Sequence, residues 1–163
     1  RIGPSADAKL VSVGGWFWFR LPADWTLIPK DDEHASADDP DGLETVWIAG
    51  SLLSGPSDKI SGANLEAMME KVHRPDRAGD LREIGREWVG EWDLIVTIEG
   101  EDEDHTGPLR RYRHHRVCVL DGYMATLIFA HVVDRDTQDE RRDWTRAFIR
   151  EALATAVAIP ELR

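Results

Sequence analysis

The residues of this chain that could do chemistry are its acids, its histidines and one cysteine, and their spacing argues against most of that chemistry. Six acids crowd into residues 31–42, DDEHASADDPDG: Asp31, Asp32, Glu33, Asp38, Asp39 and Asp41. Carboxylates that serve as general acid and base need one member in an apolar pocket that raises its pKa. No large apolar residue lies in this run, so it reads as a wet, exposed hairpin loop. A calcium loop needs oxygen ligands at alternate positions, a mid-loop glycine and a closing glutamate. Asp31 to Glu44 has the acids without that order, and cation binding by the loop is kept only as an alternative.

The histidines are His34, His73, His105, His114, His115 and His131. His114 and His115 are neighbours on a strand, point to opposite faces and cannot easily share a metal. With no His-x-His pair and no Glu-flanked helical histidine pair, no metal site is expected. His131, within Phe129-Ala-His-Val-Val, reads as a core histidine. The alternative places His131 or His114 beside a carboxylate between helix and sheet, as a small-molecule or hydrolytic site. Cys118 sits in Val117-Cys118-Val119-Leu120 and reads as a buried small hydrophobe rather than a nucleophile. A single cysteine makes no internal disulfide and no multi-cysteine zinc site. Gly14-Gly15 lacks the lysine and helix of a phosphate loop, and no Gly-x-Ser-x-Gly elbow is present. No catalytic residue and no cofactor is therefore expected, and the chain leans away from an enzyme.

Charge and aromatic content indicate binding instead. The net charge of −11 argues against nucleic acid and against anionic lipid. No apolar run approaches the ~20 residues that span a bilayer, so no membrane insertion is expected. The hairpin over 99–116 is strongly charged. Glu99, Glu101, Asp102, Glu103 and Asp104 face Arg110, Arg111, Arg113 and Arg116 across it. It forms either a self-neutralising ribbon or an edge that steers a partner. Seven tryptophans are many for 163 residues. Trp25, Trp88, Trp92 and Trp144 suit a core. Trp16, Trp18 and Trp47 lie in strands apolar on both faces, and exposed aromatics mark interfaces. Trp16, Trp18 and Trp47, with Arg111 and Arg113, are the expected partner contacts.

These residues must be carried by strands first and helices second. Trp16 to Leu21, Thr45 to Leu53 and Tyr123 to Val133 are strands apolar on both faces. Glu87 to Glu99 alternates as one long strand, with Trp88, Trp92, Leu94, Val96 and Ile98 on one side. Leu109 to Leu120 is the next strand, and Asp121-Gly122 is a strong hairpin turn. Asn64 caps a helix to about His73, and Asp80 to Glu83 makes a further helical turn. Thr137-Gln-Asp-Glu140 is a capping box opening a helix to about Ala158. With no linker or repeat, residues 1–163 read as a single α+β domain. The expected architecture is a mostly antiparallel sheet of about six strands with helices on both faces.

The run Phe19-Arg-Leu-Pro22-Ala-Asp-Trp25 before a β-hairpin, then a helix, a meander turning at Asp121-Gly122 and a C-terminal amphipathic helix, resembles a known superfamily. It is the PsbP-like and DcrB-like α/β/α sandwich, which also holds a nuclear Ran-release factor and type VI secretion effector chaperones. The resemblance implies a three-layer sandwich and a non-enzymatic binding or assembly role, with no catalytic set to carry over. The expected function is thus a non-catalytic adaptor or chaperone-like module that binds another protein, and a homodimer is compatible with it. The chain begins at Arg1 with no secretory signal. A cytoplasmic protein is expected, with a removed leader as the alternative.

Overall fold

The structure, a computed structural model, describes residues 7–42, 44–54, 65–67, 82–104, 107–120, 122–133 and 139–158. Among these residues ten strands lie in two sheets. The smaller sheet joins β1 (Ala8–Val13), β2 (Phe17–Pro22) and β10 (Val157–Ala158) in the order β1-β2-β10. The larger has seven strands: β3 (Thr26–Pro29), β4 (His34–Asp38), β5 (Thr45–Ser54), β6 (Arg82–Gly90), β7 (Asp93–Asp104), β8 (Gly107–Leu120) and β9 (Tyr123–Val133). Their order is β3-β4-β5-β9-β8-β7-β6, and every pairing is antiparallel. One helix, α1 (Asp139–Thr155), joins β9 to β10, and residues 65–67 are helical.

This overturns the expected α+β three-layer sandwich. The fold is mostly strand, and helices do not roof both faces of one sheet. A second sheet does part of that work. Phe17, Phe19 and Leu21 of β2 are fully buried and pack with Ile48, Leu127 and Phe129 of the larger sheet and with Ile149 and Leu153 of α1. Phe19 meets Phe129 edge-on at 5.2 Å. The inner face of the large sheet is thus covered by the small sheet and α1 together. The outer face carries a second cluster: Leu94, Val96, Ile98, Val117 and Met124 around the fully buried Leu65.

The two sheets approach each other closely at two glycines. Gly14, in the β1–β2 turn with φ +79°, lies against Gly50 in the middle of β5. A Cβ on Gly50 would sit 2.1 Å from the Val13 carbonyl oxygen, and one on Gly14 would sit 2.0 Å from that of Gly50. Only two glycines allow the backbones that approach.

Several local expectations differ from what the fold shows. Residues 34–38 are not loop but β4, with Ala35, Ser36 and Ala37 buried between β3 and β5. The alanines alternate inward, but small side chains carry little hydrophobic signal and the flanking acids mask it. The expected strand 87–99 is a hairpin that turns at Glu91-Trp92, with Trp88 registered to Leu94 and Gly90 to Asp93. An unbroken alternation cannot reveal a two-residue turn when both arms keep the same period. Arg82 and Glu83 are strand rather than helical turn. Apart from residues 65–67, the helix expected over 64–73 lies outside the described residues, as does Thr137. The β8–β9 hairpin closes as expected, with Leu120 opposite Tyr123 and Gly122 at φ 78°.

Candidate functional site

Two places on the large sheet bring together the residues singled out from sequence, one on each face. On the outer face, cross-strand register puts Trp47 of β5 beside Ala130 of β9 and Ala130 beside Arg113 of β8. Residues two apart share a face, so Arg111 flanks Arg113 there. Trp47 is 50% exposed although β5 is an interior strand, and Ala130, Arg111 and Arg113 are half-buried. The result is an indole and two guanidinium groups around a small-residue floor, on a chain of net charge −11.

The other two expected contacts are elsewhere. Trp16 is in the core, tilted against Tyr123 at 5.4 Å, which corrects its expected place at a contact surface. Trp18 is half-buried in β2, paired with Ser12 and Val157 in the small sheet. Its alternation with the buried Phe17 and Phe19 turns it away from the large sheet. Trp25 packs with Trp144 and Phe148. Trp88 and Trp92, expected in the core, are about 40% exposed at the β6–β7 turn.

On the inner face, under α1, lies a polar column. The Arg146 guanidinium sits 4.6 Å over the Tyr112 ring. Tyr112 stacks on His131 at 5.1 Å, and His131 on His114 at 5.5 Å. His114 Nδ1 is 3.3 Å from Thr97 Oγ1. Next to this column, Glu99 receives hydrogen bonds from Arg82 Nη2 at 2.8 Å, from Arg110 and from the Tyr112 hydroxyl at 3.1 Å. The alternation of β8 sends Arg110, Tyr112, His114 and Arg116 inward. Arg82, Tyr112 and Arg146 gave no sequence signal of this role, because their partners are contributed by β7, β9 and α1.

The electrostatics of the column do not suit proton transfer. The Arg82 guanidinium, helped by Arg110 and Tyr112, holds the Glu99 carboxyl down at about 2 against the opposing effect of burial. A carboxylate that acidic is a poor base near neutral pH. Burial pushes His114 down to about 3 and His131 down to about 4, so both rings are neutral. Among the described residues, neither ring nitrogen of His131 and not Nε2 of His114 finds a hydrogen-bond partner. Among the described residues, neither histidine touches a carboxylate.

A cleft of about 220 Å³ opens beside His114 and Thr97, between α1 and β6 to β8. The carboxylate at its rim, Glu87, is already paired with Arg150 of α1 at 2.7 Å. The arrangement anchors the helix to the sheet. Arg116 does the same at the C-terminal end of α1. It clasps Asp93 with two nitrogens and donates to the carbonyls of Leu153 and Ala156, where the chain leaves the helix. Near the start of α1, Arg141 pairs with the buried Asp39 at 2.9 Å.

The remaining candidates resolve simply. The acids of 31–42 are dispersed: Asp31 bonds His34, Asp38 bonds Thr45 and Asp39 bonds Arg141. Among the described residues no group of three potential ligands gathers for a metal. Cys118 is buried, and that burial pushes its thiol up to about 12. Native Cys118 is therefore expected to ignore a disulfide reagent at pH 8 and to react fully in urea. Reaction of the folded protein at the rate of a free thiol would show that the sheet around it opens readily.

The fold of the described residues is a two-sheet, antiparallel arrangement crossed by the long helix α1. Solved structures share it. LpqN of Mycobacterium tuberculosis, described as involved in cell envelope biogenesis, matches at a TM-score of 0.59 and 14% identity over 94% of this chain and 91% of its own. A Bacteroides thetaiotaomicron protein matches at 0.57 and 15% identity over 99% of this chain. This chain spans half the length of that protein. At such identities the likeness shows the fold alone. No protein-family model and no curated protein matches the chain. No helix among the described residues is long and apolar enough to cross a membrane.

Proposed function

We propose that the chain is a non-catalytic binding module that holds another protein against the outer face of its large sheet. The observation that carries this is Trp47, half exposed on an interior strand and ranked with Ala130 and Arg113 on one face. A large indole beside guanidinium groups is the composition of an interface hot spot. Two arginines on an acidic protein suit a partner that offers an apolar knob flanked by acids. The reading of a histidine–carboxylate site has less support, because the histidines are neutral and Glu99 is fully engaged by arginines.

One protein of this fold is involved in cell envelope biogenesis, which supports a partner at the envelope. The cytoplasmic placement expected from sequence is the alternative, and fractionation of cells producing the full-length protein decides between them.

The test is capture from the native lysate by the wild-type chain, by Trp47→Ala and by Arg113→Glu. Both positions are on the surface, so melting temperatures should stay within about 2 °C of wild type. A bound protein lost from both variants, with affinity down by about thirtyfold for Trp47→Ala, supports the proposal. Unchanged capture by both variants sinks it.

A further inference from the structure

Among the described residues the large sheet ends on β6, which pairs there with β7 alone. All nine of its residues are exposed, and Ile84, Trp88 and Val89 are large apolar side chains among them. A long bare edge presents unpaired backbone N–H and C=O groups, and folded proteins normally blunt or occupy it.

The sequence of this edge is Arg82-Glu83-Ile84-Gly85-Arg86-Glu87. Its charges are self-complementary when the strand is reversed. A second antiparallel copy brings Arg82 opposite Glu87 and Glu83 opposite Arg86, with Ile84-Gly85 at the centre. In a regular strand this register fails. Residues three or five apart point to opposite faces, so the opposed charges would lie on different sides of the sheet.

A bulge between Glu83 and Gly85 removes that obstacle. Arg82 registers with Glu99 and Glu87 with Ile95, so both lie on the inner face. Glu83 registers with Ile98 and Arg86 with Val96, so both lie on the outer face. The one-residue shift places every opposed pair on a common side.

We propose that β6 is the dimer edge of this protein, pairing with β6 of a second copy about a twofold axis through Ile84-Gly85. The interface is isologous: each strand meets the same strand of the other copy. The ion pairs already present extend across it with alternating sign. On the inner face Arg82 is bonded to Glu99 and Glu87 to Arg150. The second copy's Glu87 then continues the row Glu99, Arg82, Glu87, Arg150. On the outer face Arg86 holds Glu83 within each copy at 2.6 Å. Two such pairs from two copies close a ring of alternating charge, with Glu66 of each copy 3.7 Å from its own Arg86.

Sedimentation equilibrium on the full chain tests this. The expected mass is twice the 18.4 kDa of one chain, falling toward one as the protein is diluted. Glu83→Arg alone, or Arg86→Glu alone, puts like charges together and should raise the dimer dissociation constant at least about tenfold. The exchange Glu83→Arg with Arg86→Glu restores every opposed pair and should restore the dimer, which separates loss of pairing from loss of folding. Ile84→Cys should then give a disulfide-linked dimer on mild oxidation. A monomer at every concentration overturns the proposal, and so does a dimer that neither single reversal weakens.

Discussion

Gly50→Ala should cost more than about 3 kcal/mol, a large fraction of the total stability of a domain this size. The added methyl would lie 2.1 Å from the Val13 carbonyl oxygen, and that atom is backbone, so no side chain can swing aside. Relief requires the small sheet to lift off β5. That motion uncovers Phe17, Phe19 and Leu21, which are fully buried against the large sheet and α1. Gly14→Ala should be at least as costly, because φ +79° adds the penalty of a left-handed conformation to the same clash. Gly42→Ala is the control. Its φ is +68° but nothing lies within 4 Å of the new methyl, so a loss of about 1 kcal/mol is expected. Urea unfolding of the three variants measures this. A Gly50→Ala protein as stable as Gly42→Ala would show that the sheets do not meet at these glycines.

Acid should destabilise the protein well before ordinary carboxylates titrate. His114 and His131 are held near 3 and 4 by burial, against 6.5 when unfolded. Between those limits the unfolded chain binds protons that the folded chain refuses, so stability falls as pH falls. The slope is about 1.4 kcal/mol per pH unit for each histidine, which sums to several kcal/mol between pH 6.5 and 4. Glu99, held at about 2, adds to the loss only below its ordinary value of 4.5. Above pH 7 none of the three contributes a slope. His131→Phe removes two unpartnered ring nitrogens and one suppressed titration together. That variant should be at least as stable as wild type at pH 7, more stable at pH 5, and flatter between them. A wild-type stability that is level from pH 7 to pH 5 would refute neutral burial of these rings.

The strands were legible where one side chain in two had to be apolar. Trp16 to Leu21, Thr45 to Leu53, Leu109 to Leu120 and Tyr123 to Val133 appear close to their expected bounds, because pleat geometry writes a period of two into the sequence. The turn at Asp121-Gly122 was legible because a tight hairpin needs positive φ, and Gly122 has it. Strand β4 was hidden by its acids, and the Glu91-Trp92 turn was hidden by the alternation on both of its arms. Of the expected contacts, Trp47, Arg111 and Arg113 share a face, whereas Trp16 is core. All three tryptophans have apolar neighbours that alternate as in a strand, although Trp16 lies in the turn before β2, and nothing local tells which side faces another layer.

The sequence alone determined local rules: most of the extended segments, the hairpin turn at Gly122, and that α1 is amphipathic. Only the tertiary structure decided that the strands divide into two sheets, that a small sheet rather than a second helix covers the inner face, and which polar residues meet. Pairing order, the Gly14–Gly50 approach and the Arg116–Asp93 clasp join residues far apart along the chain. Periodicity records which side of a strand is dry, but it does not record what keeps that side dry.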